Sequence, residues 1–254
     1  MKKGRKTKLL GILALTFLLT MLCQMTTMAA TKTQTLTSGK WVKNTTQKYG
    51  DVYYYKIVVP KTGYLAVEGY GFSNYSDSRY SLSVKLCDSK KKELETYRTS
   101  LTSSHSCKSY YGVKKGTYYL KVEDSNYRLR YSFKAVTEKS GTAQKKAVSV
   151  PKNKTVGGLA IAGEKGTKID YYKITLTKAQ KITFTFGAKA NSWIQFKIVP
   201  ANTKQIIFGS SVYRWDTTET VVTKDKFPKG TYYIQVYRMS NDADTSGYYT
   251  LKWK

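Results

Sequence analysis

The sequence contains one segment pattern twice, and this duplication is the strongest constraint on how the chain folds. Gly50–Ile57, GDVYYYKI, recurs as Gly166–Ile174, GTKIDYYKI. The other matching blocks are KGTYYLKV from Lys115 with KGTYYIQV from Lys229, and YSFK from Tyr131 with YTLK from Tyr249. Matching positions lie 117, 114 and 118 residues apart. Three blocks in one order at nearly constant separation predict two similar units in tandem.

Apolar and polar residues alternate within each unit, which is the period of a strand with one buried face. The predicted inward positions are Tyr55, Ile57 and Val59 with Tyr172, Ile174 and Leu176; Leu82, Val84 and Leu86 with Ile194, Phe196 and Ile198; and Tyr118, Leu120 and Val122 with Tyr232, Ile234 and Val236. Turn residues separate these runs, and no later segment has a helical apolar stripe.

The sequence therefore predicts an all-β protein made of two tandem antiparallel jelly-roll-like β-sandwich repeats after an N-terminal signal peptide. The predicted organisation is a signal peptide over residues 1–30, a first repeat over 31–137, a linker over 138–146 and a second repeat over 147–254.

The first 30 residues have the order of a secretory signal peptide. Residues 1–8 carry five positive charges, Leu9–Cys23 are almost uninterruptedly apolar, and small residues follow. This order predicts cleavage after Ala29 or Ala30. An uncleaved membrane anchor is the weaker alternative, because the run is shorter than the roughly 20 residues that span a bilayer. Lipidation of Cys23 is not expected, since Leu22 precedes it where Gly or Ala is required.

The charge of the chain limits the choice of partner. The formal net charge is +28, and it falls to +23 without residues 1–30, which hold five of the 44 Lys and Arg and no Asp or Glu. Such a charge attracts nucleic acid, anionic membranes or acidic polymers, although a solvated Lys-rich surface has the same composition. Because export removes the protein from most nucleic acid, we expect an anionic polysaccharide or wall polymer as the partner. The expected location is secreted, extracellular or loosely wall-associated, without stable membrane insertion after cleavage.

Two cysteines remain after residue 30, Cys87 and Cys107. An even number of cysteines in an exported chain predicts a disulfide between them.

The order of the motifs resembles the bacterial pre-peptidase C-terminal domain. The segments that carry the resemblance are Gly50–Ile57, Leu86–Leu94, Gly116–Val122 and Tyr131–Phe133, then Lys168–Ile174, Gly230–Val236 and Tyr249–Leu251. The resemblance implies an accessory sandwich of secreted exoenzymes that assists export or binds substrate, here without a catalytic domain. Some related sandwiches hold calcium, which points to Asp242, Asp244 and Ser246 as a weak calcium site. No other cofactor is expected.

Catalytic groups are scarce in the sequence. His105 is the only histidine, and no nucleophile elbow, zinc-protease helix or phosphate-binding glycine loop is present. A thiolate pair of His105 with Cys107 is conceivable, but a disulfide or a surface position is the favoured interpretation. We expect no enzymatic activity.

Tyrosine is the most abundant aromatic residue, with 23 copies against 8 Phe and 4 Trp. Strand alternation turns one ring of each tyrosine doublet outward, where it can stack on a sugar while nearby cations hold acidic groups. Tyrosine also simply suits half-exposed strands. The predicted ligand-binding residues are Tyr119, Lys121, Tyr233, Tyr237 and Arg238. The predicted function is a secreted non-catalytic module that binds an anionic glycan or wall polymer; the alternative is a structural or protein-adhesive module whose partner is a surface or secreted protein.

Overall fold

A computed structural model of the protein describes residues 29–48, 50–73, 78–96, 99–102, 107–203, 205–212 and 216–254, without the side chains of 211 and 212. The chain divides into two units, Met1–Ala30 and the compact Thr31–Lys254. The predicted signal peptide lies almost wholly outside the described residues, as does His105. Among the described residues, no helical segment reaches the length and hydropathy of a transmembrane span.

The described part of the compact unit consists of strands and two short 3-10 helices, without an α-helix. In the first half the strands are β1 (Thr31–Thr35), β2 (Val42–Asn44), β3 (Val52–Val59), β4 (Gly63–Phe72), β5 (Arg79–Tyr80), β6 (Leu82–Cys87), β7 (Thr99–Leu101), β8 (Lys108–Val113), β9 (Gly116–Val122) and β10 (Tyr127–Ala135). In the second half they are β11 (Val148–Ser149), β12 (Thr155–Ala160), β13 (Ile169–Leu176), β14 (Thr183–Ala190), β15 (Ile194–Pro200), β16 (Phe208–Val212), β17 (Thr217–Val222), β18 (Gly230–Arg238) and β19 (Gly247–Trp253). The 3-10 helices are Gln144–Lys146 and Ala243–Thr245. The predicted all-β class is confirmed.

The strands form two pairs of sheets whose strand orders correspond. In the first half, sheet A has the order β1-β3-β9-β6-β7, and sheet B has the order β2-β10-β4, with β5 and β8 paired in turn along the other edge of β4. In the second half, sheet C has the order β11-β13-β18-β15-β16 and sheet D the order β12-β19-β14-β17. Apart from the short β5, the two halves therefore share one strand order.

One edge pair in each half departs from the predicted antiparallel arrangement. β1 runs parallel to β3, with Thr31 opposite Val52, and β11 runs parallel to β13, with Val148 opposite Tyr172. After β1 the chain leaves sheet A, forms β2 in sheet B and returns as β3. A crossover of this kind brings the chain back in the same direction, so the pair is parallel.

Each half has its own hydrophobic core between its two sheets. The predicted inward positions are buried in both halves, except that Tyr118 is only partly buried. Large side chains such as Tyr55, Phe184 and Phe196 are completely enclosed, and burial of each contributes about 2 kcal/mol to stability. The alternation in the sequence thus identified the buried face of these strands correctly.

A pair of tyrosines joins the two sheets of each half through their hydroxyls. Tyr55 on β3 and Tyr127 on β10 share a hydrogen bond of 2.7 Å, and Tyr172 on β13 and Tyr249 on β19 share one of 3.0 Å. Tyr127 thus makes in the first half the contact that Tyr249 makes in the second, although the sequence comparison matched Tyr131 with Tyr249.

Strand β8 joins the two halves through its backbone. The Ala162 N–H donates to the Gly112 carbonyl at 2.8 Å, and the Tyr110 N–H donates to the Asn191 side-chain oxygen at 2.6 Å. A Cβ atom on Gly112 would lie 2.3 Å from the Ala160 carbonyl oxygen. This position therefore requires glycine, because no side chain fits between the two backbones.

Apolar side chains fill the same junction. Tyr64 and Tyr110 from sheet B cluster with Leu159 and Ile161 from the second half, and Tyr64 stacks on Tyr248 with ring centroids 5.3 Å apart. The halves are in contact through packed rings as well as hydrogen bonds.

The predicted linker, residues 138–146, lies against the second half. Gly141 exchanges backbone hydrogen bonds of 3.0 and 2.9 Å with Tyr171 on β13. The Ser140 hydroxyl donates to the Asp170 carboxylate at 3.0 Å. These bonds tie the segment to the edge of sheet C.

Candidate functional site

The predicted tyrosines lie on outer sheet faces. Tyr119 on β9 and Tyr233 and Tyr237 on β18 are half-buried. Tyr119 meets Tyr54 edge to face at 6.3 Å, and the Lys91 ammonium lies 5.5 Å from the Tyr119 ring centroid. On sheet A, a lysine from the turn after β6 therefore supplies the cation beside the ring.

Lys121, which was predicted to hold an anion, is already paired. Its ammonium lies 2.8 Å from a carboxylate oxygen of Glu93 and 2.8 Å from one of Glu123. The pKa of Glu93 is lowered by hydrogen bonds from Lys121 and Lys85. Lys121 therefore contributes little net positive charge to the outer face of sheet A.

Arg238 does not lie on the outer face where it was predicted. It is 4% exposed, and its guanidinium donates to the backbone carbonyls of Glu164 and Asn241. Its neighbour Tyr237 takes the outward position on β18, so strand alternation turns Arg238 inward. Burial lowers the pKa of Arg238. This residue holds the loop before β19 in place and is not available to a polymer.

The predicted disulfide is not formed, because Cys87 and Cys107 are both free. Cys87 is buried at the end of β6 in sheet A, whereas Cys107 lies directly before β8 in sheet B, with its carbonyl accepting a hydrogen bond from Gly69. The even count of cysteines did not show that the two thiols belong to different sheets. Burial raises the pKa of Cys87 to about 12.

The loop predicted as a weak calcium site contributes to the junction between the halves. Both Asp242 carboxylate oxygens accept the Thr96 N–H, at 2.9 and 3.0 Å. The Ser246 hydroxyl donates to the Ala243 carbonyl, and burial raises the pKa of Asp244. Within the described ranges, no group of three or more His, Cys, Asp or Glu side chains is arranged to hold a metal ion.

A different site, on the outer face of sheet B, was not predicted from the sequence. Trp41 precedes β2 and is 39% exposed, and its ring meets Tyr70 on β4 edge to face at 5.8 Å. The Arg79 guanidinium lies 4.3 Å from the Tyr70 ring centroid, and that of Arg130 lies 4.5 Å from the Trp41 ring centroid. The exposed Trp41 ring, the half-buried Tyr70 ring and two guanidinium groups thus share one surface.

Trp41, Tyr70 and Arg79 are among the residues that line an open hollow of about 680 Å³. Its lining consists of Trp41, Glu68, Tyr70, Arg79, Tyr80, Ser81, Thr102, Cys107 and Arg128. Glu68 accepts hydrogen bonds from Arg130 at 2.8 and 3.2 Å, so its negative charge is compensated. Arg79 and Arg128 then give the hollow a net positive charge.

Strand β5 is fixed beside the hollow by Tyr80. The Tyr80 hydroxyl donates toward the carbonyls of Phe72, Ser125 and Asn126 at 2.9 to 3.3 Å. Its ring lies flat on Gly71, where any Cβ atom would overlap it. Because Arg79 precedes Tyr80, this anchor places the guanidinium over Tyr70.

Little in the sequence predicts this site. Its rings and cations come from the turn before β2, from β4, from β5 and from β10, and they become neighbours only when sheet B forms. The one local signal is Trp41 between Lys40 and Lys43 in a turn.

Two buried carboxyl groups with raised pKa values lie outside the hollow and have structural partners. Glu95 accepts the Leu86 N–H at 2.8 Å and the Thr99 hydroxyl at 2.6 Å, and burial raises its pKa to about 7. Asp170 accepts the Tyr249 hydroxyl at 2.6 Å, and burial raises its pKa to about 6. Each carboxyl binds a neighbouring strand or loop and does not face the hollow on sheet B.

Comparisons with known proteins give similarities at the level of solved structures. A scan against protein-family models and a search of curated proteins give no match. The chain is similar to the pre-peptidase C-terminal domain of a collagenase from Bacillus anthracis, with 17% identity and a TM-score of 0.34 over 48% of this chain and 100% of that one. It is also similar to the CUB1-EGF-CUB2 domains of human MASP-1/3, with 7% identity and a TM-score of 0.25 over 85% of this chain and 99% of that one. The CUB1-EGF-CUB2 domains of rat MASP-1 are similar with 10% identity and a TM-score of 0.27, over 87% of this chain and 99% of that one. These similarities do not establish a family for the chain.

Proposed function

We propose that this protein is a secreted, non-catalytic module that binds an anionic extracellular polymer. The observation that carries the proposal is the hollow on sheet B, where Trp41 and Tyr70 lie beside Arg79 and Arg128. Rings of this kind stack on sugar faces, and guanidinium groups form paired hydrogen bonds with acidic groups. The formal charge of +23 that remains without residues 1–30 favours the same class of ligand.

The ion pairing inside the hollow supports an anionic ligand. Glu68 is paired with Arg130, whereas neither Arg79 nor Arg128 forms an ion pair with any described residue. An incoming acidic group therefore meets two uncompensated cations and no free carboxylate. Arg79 is also held over Tyr70, which limits the side-chain entropy that it loses on binding.

The same proposal includes the origin and location of the module. Residues 1–30 act as a signal peptide, and the two halves are tandem repeats of one accessory sandwich. The matching strand orders of sheets A and C and of sheets B and D support the repeat.

Binding to immobilised alginate, polyphosphate and neutral dextran tests the proposal. We expect binding to at least one of the anionic polymers at about 0.05 M salt and loss of most of it at about 0.5 M, where the Debye length falls from roughly 14 to 4 Å. The double variant Arg79→Gln/Arg128→Gln should bind several-fold more weakly. Its matched control is Lys173→Gln/Lys197→Gln, which removes the same charge from the outer face of sheet C. This control should lower the affinity for the polymer much less.

An equal loss of affinity in the two double variants would show that the polymer is attracted by the overall charge and not by the hollow on sheet B. Absence of binding at low salt would reject the proposal and leave the structural or protein-adhesive module in its place. Incubation with the bound polymer should leave its chain length unchanged, and shortening of the polymer would contradict the non-catalytic assignment.

A further inference from the structure

The hollow on sheet B continues into a second one at the junction of the halves. The second hollow has a volume of about 490 Å³ and shares Glu68 with the first. From the first half it is lined by Tyr64, Lys108, Arg130 and Lys134, among others, and from the second half by Lys189 and Asp216. The Glu68–Arg130 pair lies where the two hollows meet, so together they form one groove along the outer face of sheet B.

Strand β4 gives the length of this groove. Tyr70, Glu68 and Ala66 face outward at alternate positions of β4, and Tyr64, the next on this face, is covered by the second half at the junction. At about 3.3 Å per residue, the distance from Tyr70 to Tyr64 is roughly 20 Å. The groove is therefore long enough for a chain of several sugar rings and too long for a single one.

Cations flank the groove at both ends. On β10, Arg128 lies opposite Tyr70 and Lys134 lies opposite Tyr64. The Lys189 ammonium, from the second half, lies 5.6 Å from the Tyr110 ring centroid at the junction end but is paired with the Asp216 carboxylate, so Lys134 is the cation available to a ligand there. A polymer that extends from Trp41 to the junction would meet positive charge at each end.

The side chains that line the groove indicate which acidic polymer it fits. Rings and guanidinium groups are in direct contact here, as Arg79 with Tyr70 and Arg130 with Trp41 show. A ligand uses both kinds of group at once only if ring and acid belong to the same residue of the polymer. A flexible polyphosphate has acidic groups but no ring to stack, and a neutral glucan has rings but no acid.

We propose that the ligand is a polymer of sugar rings that each carry their own carboxylate, and that one chain lies along the whole groove from Trp41 to the junction. This inference rests on the proposed function and narrows its ligand class. The acid groups pair with Arg79 and Arg128 at one end and with Lys134 at the other, while a sugar face stacks on Trp41.

The first experiment compares alginate, whose rings carry carboxylates, with polyphosphate and dextran on the whole protein. Trp41→Ala should lower the affinity for alginate about tenfold, the loss expected for one good stacking contact, and should change polyphosphate binding less than twofold. Tyr54→Ala, which removes a ring from the outer face of sheet A, is the matched control and should leave both affinities unchanged. Unchanged melting temperatures show that the variants are folded.

If Trp41→Ala leaves alginate binding unchanged, or if polyphosphate binds as tightly per charge as alginate, the inference is wrong while the proposed function stands. If neither polymer binds at low salt, the proposed function itself fails.

The second experiment tests the length of the occupied groove with alginate oligomers of increasing size. We expect affinity to rise with length until the oligomer spans the groove and then to level off. Lys134→Gln should weaken only the longer oligomers, because Lys134 lies at the junction end, whereas Arg79→Gln should weaken all of them. If Lys134→Gln weakened short and long oligomers equally, the inference that one chain lies along the whole groove would be wrong.

Discussion

The guanidinium of Arg79 lies 4.3 Å from the centroid of the Tyr70 ring. This contact leaves the edge of the guanidinium open to the hollow, and the hydrogen bonds of the adjacent Tyr80 hydroxyl fix its backbone. A cation held in this way binds an acidic group with less loss of side-chain freedom than a mobile surface lysine. Arg79 therefore tests whether geometry or charge determines binding.

We predict that Arg79→Lys weakens alginate binding about five-fold although the charge is kept. Lysine has neither the planar stack on Tyr70 nor the paired donors of arginine. The slope of affinity against salt should stay as in the unchanged protein, whereas Arg79→Gln should lower both affinity and slope. Titrations by biolayer interferometry at several salt concentrations measure the two quantities. Full affinity in Arg79→Lys would show that only the charge matters.

The sequence predicted the core better than the surface. Strand alternation identified Tyr55, Ile174 and Phe196 as buried, because burial of one face is a property of each strand alone. Alternation also turns Arg238 inward after the outward Tyr237, so its prediction as a binding residue went against the pattern itself. The alternation could not show that Lys121 is paired with Glu93, because that pair joins β9 to the turn after β6.

The hollow on sheet B was missed for a related reason. Trp41, Tyr70 and Arg79 become neighbours through the pairing of β4 with β5 and the course of the turn before β2. That pairing depends on the close packing of Tyr80 on Gly71. No repeat or motif in the sequence predicts this contact. A binding surface of this kind is a property of the assembled sheet and not of any single segment.

We predict that the protein loses stability as the pH rises from about 4.5 to 7. Burial raises the pKa of Glu95 from 4.5 to about 7, so the folded state binds this proton more tightly than the unfolded state. The stabilising contribution is complete below pH 4.5 and is lost as the pH rises through 7, and it is worth on the order of 3 kcal/mol. Urea unfolding at pH 4.5, 6 and 8 measures it.

Glu95→Gln should remove most of this pH dependence and stabilise the protein at pH 8. A smaller slope should persist below pH 6, because burial also raises the pKa of Asp170 to about 6. Glu219→Gln, which replaces a carboxylate on the edge strand β17, is the control and should leave the slope intact. A pH profile that is the same with and without Glu95 would contradict the prediction.

We predict that Tyr249→Phe costs more stability than Tyr55→Phe at pH 7. The Tyr249 hydroxyl donates to the buried Asp170 carboxylate at 2.6 Å, and its loss leaves a buried charge short of a donor. We expect Tyr249→Phe to lower the free energy of unfolding by about 2 kcal/mol. In the first half, Tyr127 keeps Gln47 as an acceptor when Tyr55 loses its hydroxyl, so about 1 kcal/mol is expected. Urea unfolding of both variants compares the two costs, and equal costs at pH 7 would count against the role of Asp170.

We predict that alginate protects Cys107 from alkylation and has no effect on Cys87. Cys107 is half-buried and lines the hollow on sheet B, whereas Cys87 is completely buried in sheet A. Burial raises the pKa of both thiols, that of Cys87 to about 12, so labelling with N-ethylmaleimide is best done near pH 8.5. Peptide mass mapping should show steady modification of Cys107 in the free protein, slower modification with alginate bound, and modification of Cys87 only after unfolding. Alginate that binds without slowing the reaction of Cys107 would place the polymer on another surface, with the outer faces of sheets A and C as the remaining candidates.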